Sequence, residues 1–164
     1  MEEVLTHEIE LYPPESFLVL MEHEVNKSLR YKHPLTLVHL AVEANPKSPQ
    51  TQHSAEVFAI NVLNIQLRET DIPCKKGSEF MVLMASTDEQ GGRVVCERLE
   101  KLFNATQQTY DRVSFELSAF IGMTSVDGNS RFSSNTLAHQ AAAALQHAQS
   151  NHSRKAVIFS QIPE

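Results

Sequence analysis

The sequence predicts an α/β (α+β) fold, a central mixed sheet of five strands flanked by helices. Three observations carry that expectation. Residues 34–42, PLTLVHLAV, form a near-continuous apolar run, which suits a strand buried on both faces. Residues 113–120, VSFELSAF, alternate apolar and polar with period two, as a half-buried strand beside an antiparallel neighbour does. Between and around these strands lie segments with apolar residues at helical spacing, so helix and strand alternate along the chain.

The first helix is expected to start at Ser16, a plausible N-cap, and to run to about Lys32. The buried strand at 34–42 follows. NPKSPQTQHS, residues 45–54, carries two prolines among polar residues and is the clearest loop. A second helix is expected from about Ser54 to Glu69. IPCKKGSEFMVLMA, residues 72–85, reads as two short strands around Lys76–Ser78, a hairpin. STDEQGGRVVCERLEKLF, residues 86–103, opens with a Ser/Thr cap and sets Val95, Leu99 and Leu102 at i, i+4, i+7. Gly91 and Gly92 weaken the first turn of that helix. The last helix, about 134–151, places Leu137, Ala141, Leu145 and Ala148 on one face. Its Ala141–Ala144 run suits a close-packed face or a partner surface. KAVIFS, residues 155–160, reads as a closing strand.

The 164 residues suit one domain spanning 1–164, long enough to bury a sizeable core. Hydrophobic residues at 41% and charged residues at 21% indicate a soluble globular chain. A net charge of -6 argues against binding a nucleic-acid backbone, which needs a basic face. It leaves room for a small nucleotide held by a few local arginines. FLVLM, residues 17–21, is far shorter than the roughly 20 apolar residues that span a membrane. The opening, MEEVLTHE, lacks the basic and apolar regions of a signal peptide. Cys74 and Cys96 form no CxxC pair, so a reduced cytoplasm is the simplest location. Among the eight histidines, His139, His147 and His152 gather near the last helix. Their i, i+8 spacing does not bring two nitrogens to one ion, so no metal site is expected there. His23, between Glu22 and Glu24, belongs to a solvated face.

The order of elements and several local motifs together resemble the GGDEF family, the diguanylate cyclase domain. ELYPPESFLVLMEHEV, residues 10–25, sits where the family has its LTGLxNRRxF motif and first helix. RYKHPLTLVHLAVEAN, residues 30–45, is similar to the strand that begins R-Y-x-x-P-L and ends in DxDxF. RETDIPCKKGSEFMVLM, residues 68–84, is similar to RxxD followed by GG(D/E)EF. STDEQGGRVVCERLEKLF is similar to the helix after the hairpin. SFELSAFIGMTS, residues 114–125, is similar to the V-T-x-S-I-G-V-A strand. TLAHQAAAALQHAQSNHSRKAVI, residues 136–158, is similar to the family's last helix and final strand.

The resemblance implies the nucleotidyl-cyclase-like fold and a role in bacterial cyclic di-GMP signalling. It also implies a chemistry, condensation of two GTP molecules across a pair of domains, with two divalent cations holding the triphosphate. Hard cations want carboxylate oxygens. Here the position of the first metal Asp is Ala41, and that of the second acid is Glu43. The hairpin motif is one residue short. Gly77 and Ser78 replace the two glycines in one alignment; in the other, Lys76 replaces the first glycine and Ser78 the acid. Either way Glu79 is the carboxylate that remains. The loop after the first strand is shorter than the family's and lacks the Asn-Asp pair that reads guanine. Pro13 and Pro14 stand in place of Asn-Arg, Gln149 near the phosphate-binding Lys, and Gln146 near the Tyr. The expectation is a degenerate domain with no catalytic residues, no cyclase activity and a lost Mg²⁺ site, hence no cofactor.

The family's product-inhibition motif, RxxD five residues before the glycines, is kept as Arg68 and Asp71. A guanidinium can fork a phosphate or the O6/N7 edge of guanine, and an ionised Asp can accept from N1–H and N2–H₂. Lys75 and Lys76 add local positive charge to an otherwise acidic chain, and a further arginine is expected from Arg30, Arg93 or Arg98. The structural alternative is that Arg68 favours a helix C-terminus and Asp71 caps a turn. Three functions follow: a cyclic di-GMP receptor using Arg68 and Asp71; a protein-interaction or homodimerisation module without nucleotide; and an enzyme using Glu43 and Glu79. No nucleic-acid or membrane partner is expected.

Overall fold

A computed structural model describes residues 11–104, 107–110 and 112–163. The acidic opening at 1–8 lies outside them. Helix α1 (Pro14–Tyr31) leads into β1 (Leu35–Asn45), α2 (Pro49–Gln66) and the hairpin β2 (Asp71–Lys76) and β3 (Glu79–Ala85). Then come α3 (Glu89–Phe103), β4 (Gln108–Tyr110), β5 (Val113–Val126), α4 (Ser134–Ser150) and β6 (Val157–Ile158). The strand order is β2-β3-β1-β5-β4, all antiparallel, with β6 parallel to β5. The sheet is thus mixed. It contains the five expected strands and adds β4, three residues that pair with the start of β5.

The helix starts differ from expectation for clear physical reasons. α1 begins at Pro14, with Pro13 as N-cap, so Ser16 lies inside the first turn. Proline at N1 needs no N–H and is already set to helical φ. α2 likewise begins at Pro49, and the expected loop at 45–54 is therefore shorter. Ser48 caps it in a reciprocal box with Thr51: Thr51 N donates to Ser48 Oγ at 3.1 Å, and Ser48 N to Thr51 Oγ1 at 2.9 Å. α3 is capped by Asp88 rather than Ser86 or Thr87, with Gly91 N donating to Asp88 Oδ1 at 2.8 Å. Its buried face is Gly92, Cys96, Leu99 and Phe103, while Leu102 is 39% exposed. The expected stripe was rotated because Gly92 and Cys96 are small enough to meet the sheet, and Leu102 is not needed there.

β1 alternates between two cores. Val38, Leu40, Val42 and Ala44 pack against α2 and α3, together with Ala59, Leu63, Leu99 and Phe103. Leu35 and Leu37 point the other way, to Phe17 and Met21 of α1 and Leu137 and Ala141 of α4. Leu137, Ala141, Leu145 and Ala148 of α4 are all buried, as the sequence predicts. Gly122 of β5 lets α4 close on the sheet. A Cβ there would lie 2.2 Å from Leu145 N and 2.7 Å from Ala141 O. The closing strand is only two residues long; the chain turns into a short 3-10 helix, Phe159–Gln161.

At the sheet edge, Tyr12 forms a parallel bridge with Cys74 of β2, and Tyr12 N donates to Pro73 O at 3.0 Å. Among the described residues, no helix is long and apolar enough to cross a membrane.

Candidate functional site

The hairpin and the end of β1 come together as the family resemblance implies. Lys76 pairs with Glu79, so the turn is Gly77–Ser78. Gly77 takes φ +62 at the first turn position, a conformation glycine adopts without strain. Glu79 stands opposite Ala41, whose other neighbour is Phe120 of β5. Ala41 is 5% exposed and belongs to an apolar cluster with Phe120, Leu145 and Ala148. Glu43 follows two residues on, exposed, opposite Ser118. Glu79 Oε1 is bonded to His39 Nε2 at 2.7 Å. His39 is mostly buried on the same sheet face, and its Nδ1 has no hydrogen-bond partner among the described residues. Of the predicted carboxylates, Glu79 is therefore engaged and Glu43 stands at the open end. Gln146 is exposed on α4 and Gln149 is half-buried.

Arg68 and Asp71 lie at the opposite end of the hairpin, where β3 leads into α3. Asp71 is buried, and both its oxygens are used. Arg68 N donates to Oδ2 at 2.8 Å, and Arg68 Nη2 to Oδ1 at 3.3 Å. Asp71 thus closes the turn that precedes β2 and does not present its carboxylate to solvent. Arg68, with 59% of its side chain exposed, borders two clefts. One, of about 440 Å³, also holds Thr87, Gly91, Val95 and Arg98. Arg98 makes no ion pair among the described residues. The other candidates are elsewhere or occupied: Arg93 Nη2 pairs with Glu89 Oε2 at 2.8 Å, and Arg30 lies over Tyr31. Lys75 and Lys76 correct the expectation of local charge. β2 carries them away from Arg68, roughly 13–17 Å along the strand from Asp71. Lys75 Nζ is tied to Glu56 Oε1 of α2 at 3.2 Å.

Neither His39 nor Thr87 stands out in the sequence. His39 is the lone histidine of an apolar strand, a signal that reads equally as a core residue. Thr87 resembles a helix cap; in fact it is buried and accepts from Arg68 Nη2 at 2.9 Å. Among the described residues, no group of three or more His, Cys, Asp or Glu side chains could hold a metal ion.

Both cysteines are free and buried. Burial pushes the Cys96 thiol up to about 12, with Glu100 and Glu97 adding to the shift. Burial also raises Cys74, opposed by Lys76 and reinforced by Glu15. A thiolate is the reactive form. A thiol reagent at pH 8 is therefore expected to label neither residue in the folded protein and both in denaturant; stoichiometric native labelling would contradict the burial.

The family model described as "Diguanylate cyclase, GGDEF domain" matches residues 57–155, well over half of the chain. No curated protein matches the sequence. Among solved structures, the chain is similar to diguanylate cyclase SiaD from Pseudomonas aeruginosa, in complex with its activator SiaC. The TM-score is 0.78 at 20% identity over 90% of this chain, which spans 58% of that one. It is similar to the GGDEF domain of YfiN from Pseudomonas aeruginosa, with a TM-score of 0.77 at 18% identity, covering 91% of this chain and 96% of the other. It is also similar to the GGDEF domain of DgcB from Caulobacter crescentus, in complex with cyclic di-GMP. There the TM-score is 0.75 at 12% identity, over 98% and 97% of the two chains. The family match covers the hairpin, α3, β5 and α4, the elements that frame both ends of the site, and the chain belongs to the GGDEF, diguanylate cyclase, domain family.

Proposed function

We propose that this GGDEF domain makes no cyclic di-GMP and instead binds it as a signal, through the cleft shared by Arg68 and Arg98. The observation that carries the first half is Ala41, buried among Phe120, Leu145 and Ala148 where the family resemblance expects a metal carboxylate. The residues present do not suit a pair of divalent cations. Hard cations need converging carboxylate oxygens; Ala41 offers a methyl, Glu79 is engaged by His39, and Glu43, two residues along β1, is exposed. The second half is supported by two arginines on one cleft in a chain of net charge -6, and by the DgcB domain, whose structure contains cyclic di-GMP. Arginine both pairs with phosphate and stacks on purines. The turn-closing role of Asp71 shifts recognition from the RxxD pair toward Arg68 with Arg98. A cytoplasmic location accords with free cysteines and with that ligand.

A protein-docking role is the second reading. Helix α4, Ser134–Ser150, contains no Asp, Glu, Lys or Arg, and Ala142 and Ala143 on it are exposed.

Calorimetric titration with cyclic di-GMP, GTP and GDP separates these. Micromolar binding of cyclic di-GMP is expected, weakened about 10- to 150-fold in Arg68→Ala, as for a hydrogen bond to a charged group. Rising salt should weaken it only modestly. Absence of binding to every nucleotide would favour docking. GTP turnover with Mg²⁺ would overturn the proposal.

A further inference from the structure

The Arg68 guanidinium is exposed yet tethered at one nitrogen. Nη2 meets Asp71 Oδ1 at 3.3 Å and Thr87 Oγ1 at 2.9 Å. The Thr87 hydroxyl donates its one proton to Ala85 O at 3.0 Å. What remains is acceptance, so the contact with Arg68 has a fixed sense. Thr87 is itself held: its carbonyl accepts from Thr36 Oγ1 at 2.7 Å, and Thr36 Oγ1 meets Ser125 Oγ at 2.7 Å. Thr36 is fully buried in β1. Ser86, just before Thr87, takes φ +51, the left-handed turn that carries the chain from β3 toward α3. A line of hydrogen bonds thus runs from the two central strands, through Thr87, to a guanidinium at the surface.

On the receptor reading above, we infer that Thr87 is a positioning residue for Arg68. Asp71 is three residues from Arg68 and holds it within its own turn. Thr87 reaches it from the β3–α3 junction, on the wall of the cleft that also contains Arg98. With Nη2 engaged by Asp71 and Thr87, Nη1 and Nε are the donors left for a ligand. An arginine fixed before the ligand arrives avoids the ordering cost that a loose side chain incurs on binding. The threonine methyl is not part of this mechanism; the hydroxyl is.

The test compares the full chain with Thr87→Val, Thr87→Ala and Thr87→Ser. Cyclic di-GMP titration is one readout. The Arg68 Nη2–H₂ resonance, recorded by NMR without ligand, is the other. Thr87→Val and Thr87→Ala are expected to bind about two- to tenfold more weakly, and Thr87→Ser to match the unaltered protein. The Arg68 resonance should be dispersed in the unaltered and serine proteins and move toward the solvated position in the other two, where Asp71 alone still holds Nη2. Equal affinity across all four, or an Arg68 resonance indifferent to the hydroxyl, would overturn the inference. If no cyclic di-GMP binds but the resonance still follows the hydroxyl, the receptor reading falls and the positioning role stands.

Discussion

Gly122→Val is expected to abolish cooperative folding. A Cβ at that position would lie 2.2 Å from Leu145 N and 2.7 Å from both Ala141 O and Ala144 C. These are backbone atoms of α4, which cannot rotate aside as a side-chain tip can. Relief requires lifting the helix from β5, and Leu137, Ala141, Leu145 and Ala148 all lose burial when it lifts. The cost should exceed about 4 kcal/mol. That is a large part of the roughly 5–15 kcal/mol by which a domain is stable. Circular dichroism during heating should show a broad, shallow change in place of a sharp transition. A sharp transition within a few degrees of the unaltered protein would contradict the closeness of α4 to the sheet.

Ala41→Asp puts back the residue type that metal chemistry would use, and the expected result is loss of stability without gain of activity. The new carboxylate would enter the cluster of Phe120, Leu145 and Ala148, opposite the carboxylate of Glu79 on the neighbouring strand. An uncompensated buried charge costs about 3–5 kcal/mol. The sign of its pH dependence follows from burial, which raises the folded-state pKa of the new Asp above its unfolded value. The unfolded chain then releases the proton first, so stability falls as pH rises from about 4 toward neutrality. Urea unfolding at several pH values should show the deficit growing in that direction. Rescue of stability by Mg²⁺, or GTP turnover by the variant, would count against the proposed loss of the metal site.

The elements legible in the sequence were those with their own period. The apolar run of β1, the alternation at the start of β5 and the stripe of α4 each signal one face or two. β4 has no such signal; Gln108–Tyr110 is a strand only because β5 offers it a partner. Pro46 and Pro49 look like loop residues one at a time. Ser48, Pro49 and Thr51 together are a helix start, and reading the cap before the proline would have found it. At the site, the spacing of Arg68 and Asp71 was visible, but the burial of Asp71 was not, because it depends on a turn closed by its own carboxylate. Arg98 could not be told from the other two arginines by sequence; the fold places it on the cleft that Arg68 borders. Lys75 and Lys76 show the converse: near Arg68 in sequence, they are carried off by an extended strand.

The bridge between Tyr12 and Cys74 has a consequence for self-association. A sheet edge with free N–H and C=O groups recruits strands from other chains. On β2, Pro73 has no N–H to offer, and its carbonyl is already taken by Tyr12 N. On the opposite flank, β4 is three residues long, too short to template an extended pairing. Among the described residues, β2 at Pro73 and the short β4 therefore each offer little open backbone for a second chain to extend.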